Sequence, residues 1–355
     1  MNVKLDAKEI NRAAKVLAGI INPRDTMFSC IQISGEPDGV SFYATNRILS
    51  AKMKIPMIGV DEEAFCIDGT MFTRIVQGAT KDVEIVTDGK DCTIKAIGKT
   101  RIPIIDREMP KMDAAEGNEF SLNADGLRGA VGKVYHAVSA DESRIVLTGI
   151  KLESYVGGIS LVALDGFQMA MEKLALPCPE NIKMVIPGVQ LKKVCDSLNL
   201  GEDVLISSNG SHVTFRTDGA EMTVTLLHGE YPDVARLLPT SFKTSVRVCA
   251  DELKTVIKAG QIASEKNNLI RLEIYENELI IRTQSQSADF EAHVDCETQG
   301  EGMKIGFNQI YLLEAINSID TEFVTMNFNS ATSPEVTKPD AGEGIRLTLP
   351  VRVMG

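Results

Sequence analysis

The sequence contains no tryptophan, and only 5% of its 355 residues are aromatic, so its core must be built mainly from aliphatic side chains. Histidine is scarce. His136, His212, His228 and His293 stand apart, with no His-Glu-x-x-His spacing. The seven cysteines, at 30, 66, 92, 178, 195, 249 and 296, never form a Cys-x-x-Cys pair. Such spacing offers neither a zinc site nor a disulfide framework, and it predicts buried free thiols in a reducing cytoplasm. No metal or other cofactor is expected. No apolar run approaches the roughly 20 residues needed to span a bilayer. Residues 1–10 lack the basic-then-apolar layout of a secretory signal. The expected location is therefore cytoplasmic, with no membrane partner. Basic residues are in deficit too: 37 Lys and Arg against 49 Asp and Glu give a net charge of −12. That excludes a uniformly basic nucleic-acid binder, because neutralising phosphates needs clustered cations. A protein with its cations gathered on one inner surface remains open.

What is present is repetition. At 355 residues the chain is longer than one core usually supports, so two or three domains are expected. Three segments match: "VKLDAKEINRAA" from Val3, "FSLNADGLRGAV" from Phe120 and "VRVCADELKTVI" from Val246. Each opens with an alternating strand (Val3 and Leu5, Phe120 and Leu122, Val246 and Val248). Each then enters a helix whose apolar residues recur at i, i+3 and i+4: Ile10, Ala13, Ala14; Leu127, Ala130, Val131; Leu253, Val256, Ile257. A second trio lies about halfway between them: "FCIDGTMFTRIV" from Phe65, "MVIPGVQLKKVC" from Met184 and "IGFNQIYLLEAI" from Ile305. Here Phe72, Leu191 and Leu312 are equivalent, followed by Ile75, Val194 and Ala315. Asp-Gly and Asn-Gly steps between later alternating runs predict hairpins. The chain reads as six strand–helix–strands units paired into three similar α+β domains, 1–118, 119–242 and 243–355.

A closed array removes exposed sheet edges. With helices about 10 Å across lining the inside and antiparallel sheets outside, six helices leave a hole of about 9 Å and twelve leave about 28 Å. A DNA duplex of roughly 20 Å passes only through the second, so a ring round DNA requires a homodimer. Basic residues on the helix faces opposite the core permit this: Lys8, Arg12 and Lys15 on the first helix, Lys254 and Lys258 on the fifth. Arg74, Arg128, Lys133, Lys192 and Lys193 are placed less regularly. The sixth helix has no basic residue.

At this point the sequence resembles the bacterial DNA polymerase III beta subunit, the sliding clamp, along essentially its whole length. The resemblance is carried by "RIVLTGIKLE" from Arg144, "LVALDGFQMA" from Leu161, "GEYPDVARLLP" from Gly229, "GFNQIYLLEAI" from Gly306 and "LTLPVRV" from Leu347. It implies a non-catalytic, head-to-tail dimeric ring that encircles duplex DNA without regard to sequence, tethers polymerases and confers processivity. It implies a separate clamp loader as well. A groove between the second and third domains would capture partner peptides bearing Gln and apolar anchors. The matching residues are Leu147, Leu164, Gly166, Phe167, Met169, Pro232, Arg236, Leu237, Asn308, Tyr311, Leu347, Leu349, Pro350, Val351 and Arg352. Gln168 stands where the family often has a basic residue. For DNA the resemblance adds Arg24, Ser139 and Arg144. For the dimer seam it suggests Lys99, Arg101, Ile102 and Ile104 facing Ile262, with Phe72 or Arg74 nearby. The apolar tail "LTLPVRVMG" then serves as an edge strand and as one groove wall.

Two other functional classes compete with this reading. Asp165 and Asp233 resemble a carboxylate pair for hydrolysis, but both sit in turn sequences, Asp-Gly and Pro-Asp, and no nucleophile–histidine set accompanies them. A repeat scaffold that binds proteins without DNA shares the groove, and it predicts no topological link to DNA.

Overall fold

A computed structural model describes residues 1–199, 201–264 and 268–352. The last three residues of the apolar tail lie outside that range. The chain divides into two compact units. One comprises residues 1–128 and 189–226, the other residues 129–188 and 227–355.

Six α-helices are described: α1 Ala7–Ala18, α2 Gly69–Val76, α3 Ala124–Val134, α4 Gly188–Ser197, α5 Ala250–Gly260 and α6 Gln309–Asn317. Each directly follows a strand, in the two trios anticipated from the sequence. Asp6 caps α1, its carboxylate accepting from the Lys8 and Glu9 amides at 2.8 and 3.2 Å, and Asp68 caps α2 in the same way. The predicted core stripes are buried. Ile10, Leu127, Leu253, Phe72, Leu191 and Leu312 are all fully enclosed, and the strand positions Val3, Leu5, Phe120, Leu122, Val246 and Val248 are buried. Only Val256 and Ile75 fall at the margin of their cores. The helix period drifts there, so in α2 Val76 takes the enclosed place.

All strand pairings are antiparallel among the described ladders. The first unit holds a four-stranded sheet, Asn2–Leu5, Val83–Thr87, Asp91–Lys95 and Lys99–Pro103, and a separate eight-stranded sheet. In the eight-stranded sheet Leu49–Pro56 pairs with Ala220–Thr225, so strands from two sequence repeats share one ladder. The second unit carries a thirteen-stranded sheet. Its central run is Gly158–Leu164, Gln168–Ala175, Ile345–Thr348, Glu335–Pro339 and Phe323–Phe328, and Pro350–Val351 ends one edge. The pairing of Gln168–Ala175 with Ile345–Thr348 repeats the same device. No described helix is long and apolar enough to cross a membrane. All seven cysteines are free; Cys178, Cys249 and Cys296 are only partly buried.

Candidate functional site

Within the second unit, segments far apart in sequence build one apolar surface. Met169 lies opposite Leu164 on one neighbouring strand and opposite Leu347 on the other. Leu147 and Tyr231 join them in a single buried cluster. The Tyr231 phenol donates to the Val162 carbonyl at 3.2 Å, and burial raises its pKa. That bond fastens the 226–243 segment, which carries Pro232, Arg236 and Leu237, onto the sheet.

The rim is open. Phe167 is 58% exposed, Leu237 42%, Leu349 36% and Val351 38%. Phe167 and Tyr311 stack at 5.9 Å. Phe167 owes its position to the turn before it: Gly166 adopts φ +96°, which a Cβ would strain. The Asp165 carboxylate accepts from the Phe167 and Gln168 amides at 2.7 and 2.9 Å. Leu349 N–H donates to the Phe167 carbonyl at 2.9 Å, and Pro350–Val351 pairs with Met303–Asn308. The tail is thus an edge strand and a wall together. Asn308 caps α6 through the Ile310 amide at 2.9 Å. Arg236 pairs with Asp233 at 3.1 Å on the surface, and Arg352 is exposed.

Gln168 is enclosed. Its amide nitrogen reaches the His136 carbonyl at 3.2 Å, Asp165 at 3.3 Å and Glu314 at 3.4 Å. Burial, with Arg346 adding to it, holds the His136 imidazole pKa down at about 4, so it is neutral at pH 7. Asp165 and Asp233 each spend a carboxylate oxygen on turn amides. Their roles are local.

The first unit contains the same three-strand arrangement with opposite chemistry. A turn of equal length joins Thr45 to Ser50, and Ser50 faces Thr223 where Met169 faces Leu347; Tyr43, Lys52 and Glu221 form the next row. Hydroxyls and charges there offer no apolar anchor pocket.

The basic residues fall into two groups. Lys8, Lys15, Arg24, Arg74, Arg144 and Lys258 are exposed. Arg12 and Lys193 line a cleft of about 320 Å³ with Lys15, Arg12 being 3.7 Å from Glu202. Others are engaged within the fold. Arg128 donates to the carbonyls of Cys195 and Leu198 at the end of α4, Lys192 pairs with Asp196 at 3.2 Å, and Lys254 reaches Asp251 and the Ile319 carbonyl. Ser139 needs correction as a DNA contact. It is 7% exposed, and its hydroxyl accepts from the Asp141 amide, shaping the turn before Arg144.

Two seam residues need correction too. Phe72 is fully enclosed, 5.4 Å from Phe42, and Ile102 is 1% exposed, so neither presents a surface. Lys99 and Arg101 are exposed on the edge strand Lys99–Pro103, Ile104 is half-buried beside it, and Ile262 is 89% exposed. Sequence reading missed a second edge. Residues 289–295 pair only with Glu278–Gln284 among the described strands, and Asp289, Glu291, His293 and Asp295 are exposed there at every second position. That alternation was a legible signal.

Comparison with known proteins decides the family. The model of the DNA polymerase III beta subunit central domain matches residues 121–233, and that of its C-terminal domain matches residues 235–352. The chain belongs to the bacterial DNA polymerase III beta subunit family. It is 28% identical to the beta sliding clamp of Bacillus subtilis over 91% of each chain. It is 25% identical to that of Streptomyces coelicolor over 96% of this chain and 93% of the relative. The fold matches the Thermotoga maritima beta subunit (TM-score 0.93, 22% identity, covering 99% of this chain and 100% of that one). It also matches the Pseudomonas aeruginosa sliding clamp bound to griselimycin (TM-score 0.94, 22% identity, the same coverage). Sliding clamps are non-catalytic processivity factors, and this chain is one of them.

Proposed function

We propose that two copies of this chain join head to tail into a ring round duplex DNA, and that the apolar surface centred on Met169 docks peptides of the polymerase and other partners. The convergence of Leu164, Met169 and Leu347 from three neighbouring strands, with Phe167 and Tyr311 stacked at the rim, carries the reading. Anchor pockets combine such an enclosed apolar floor with a few polar orienters. The flexible Met169 side chain suits a site that serves several partners. A three-domain division at 118/119 and 242/243 accounts for the repeated strand-to-helix steps.

The ring closes through unlike edges. A basic edge strand with Lys99 and Arg101 complements the acidic edge with Asp289, Glu291 and Asp295, and exposed Ile262 supplies apolar contact. Unlike surfaces of this kind join head to tail and abolish both free edges when the rotation closes. Exposed Lys8, Lys15, Arg24, Arg74, Arg144 and Lys258 face the phosphates, and a cytoplasmic location fits the free thiols. The test is topological. Protein loaded by a clamp loader onto nicked circular DNA is lost when the circle is linearised, whereas retention on the linear molecule would rule out encirclement.

A further inference from the structure

Arg346 is the largest fully buried side chain among the described residues. It lies on Ile345–Thr348, next to the groove residue Leu347 but pointing to the opposite face of the sheet. Its guanidinium makes five hydrogen bonds. Nε donates to Ser318 Oγ at 2.5 Å, Nη1 to the Met171 and Ile345 carbonyls at 3.1 Å each, and Nη2 to Glu172 Oε1 at 2.6 Å and the Ser318 carbonyl at 3.1 Å. Ser318 is the C-cap of α6, where a cation also complements the helix dipole. One planar fork therefore ties together the strand carrying Leu347, the strand carrying Gln168 and Met169, and the end of the helix carrying Tyr311. Each of those three elements supplies at least one groove residue.

We propose that Arg346 is a positioning residue for the partner groove. It never touches the peptide; it fixes the spacing of the walls that do. This inference rests on the groove reading above. Five donors in a rigid plane are what the task demands, and a lysine ammonium keeps the charge but cannot hold all of these acceptors at once. Glu172 balances the charge, at 15% side-chain exposure.

Fluorescence anisotropy with a labelled synthetic peptide bearing glutamine, leucine and phenylalanine anchors tests this on the intact dimer. Arg346→Lys should weaken peptide binding about tenfold. Arg346→Met alone leaves the half-buried Glu172 without its partner, so it should lower Tm as well. The Arg346→Met/Glu172→Met double variant removes both charges and should regain Tm, since a matched buried pair is replaceable by apolar residues. Its peptide affinity should stay about tenfold below wild type. Recovery of affinity together with Tm would overturn the proposal, because Arg346 would then be only a fold-stabilising residue. Absence of peptide binding by the wild type would overturn the groove reading, and this inference with it.

Discussion

At the scale of single residues, the groove floor and the layer beneath it have different chemistry. Met169 is enclosed among Leu164, Leu347 and their neighbours. Met169→Glu would place a carboxylate there without a partner, at a cost of several kcal/mol. Peptide affinity should fall at least a hundredfold by calorimetry while the dimer persists; a fall of less than tenfold would remove Met169 from the site. Behind the floor, Gln168, Thr348 and Glu335 stand in register on three adjoining strands. Glu335 is fully buried, and its Oε1 accepts from Thr337 at 2.5 Å. Burial raises its pKa to about 8 against an ordinary value of 4.5. A raised acid pKa means the folded state binds the proton more tightly than the unfolded one. The contribution is therefore complete below pH 4.5, declines as pH rises and is gone above about pH 8. Glu335→Gln should flatten this part of the pH–stability profile and raise Tm at pH 8. Identical wild-type and variant profiles in denaturant titrations at pH 5 and pH 8 would show that Glu335 does not titrate in that range.

At the scale of elements, the predictions fall on two short edge strands, Pro350–Val351 and Lys99–Pro103. Pro350–Val351 adds a final strand beside Met303–Asn308, bringing Leu349 and Val351 to the groove rim. Truncation before Pro350 should abolish peptide binding and leave the dimer intact. Unchanged affinity by calorimetry would contradict a wall built by the tail. On the basic edge, Arg101 already pairs with Asp88 and Asp91 of its own sheet. Exposed pairs of this kind contribute little, so its charge remains available to an acidic partner edge. Arg101→Glu with Lys99→Glu should raise the dimer dissociation constant at least tenfold by sedimentation, with the effect shrinking at high salt. A dimer of unaltered strength would place the seam elsewhere.

For the whole molecule, closure matters more than affinity. An overall charge of −12 disfavours binding to the outer surface. A handful of exposed cations is enough when escape requires opening a ring. The native particle should have twice the 38.6 kDa chain mass. A strictly monomeric mass at micromolar concentration would leave no hole wide enough for a duplex.

The repeat and its alternating periods, by themselves, determined the six strand-to-helix steps and most of the positions buried in each, and short motifs such as "LVALDGFQMA" carried the family resemblance. These depend on side chains a few residues apart, and local spacing records them. Cross-strand register is nonlocal, and only the tertiary structure decided it. It assembled the groove from residues near 147, 167, 232, 311 and 349, and it withdrew Phe72, Ile102 and Ser139 from the surface. In "IRLT" from Ile345, alternation alone would turn Arg346 and Thr348 towards solvent. Both faces of that strand are covered instead, and burial converts an apparent surface arginine into the tie beneath the groove.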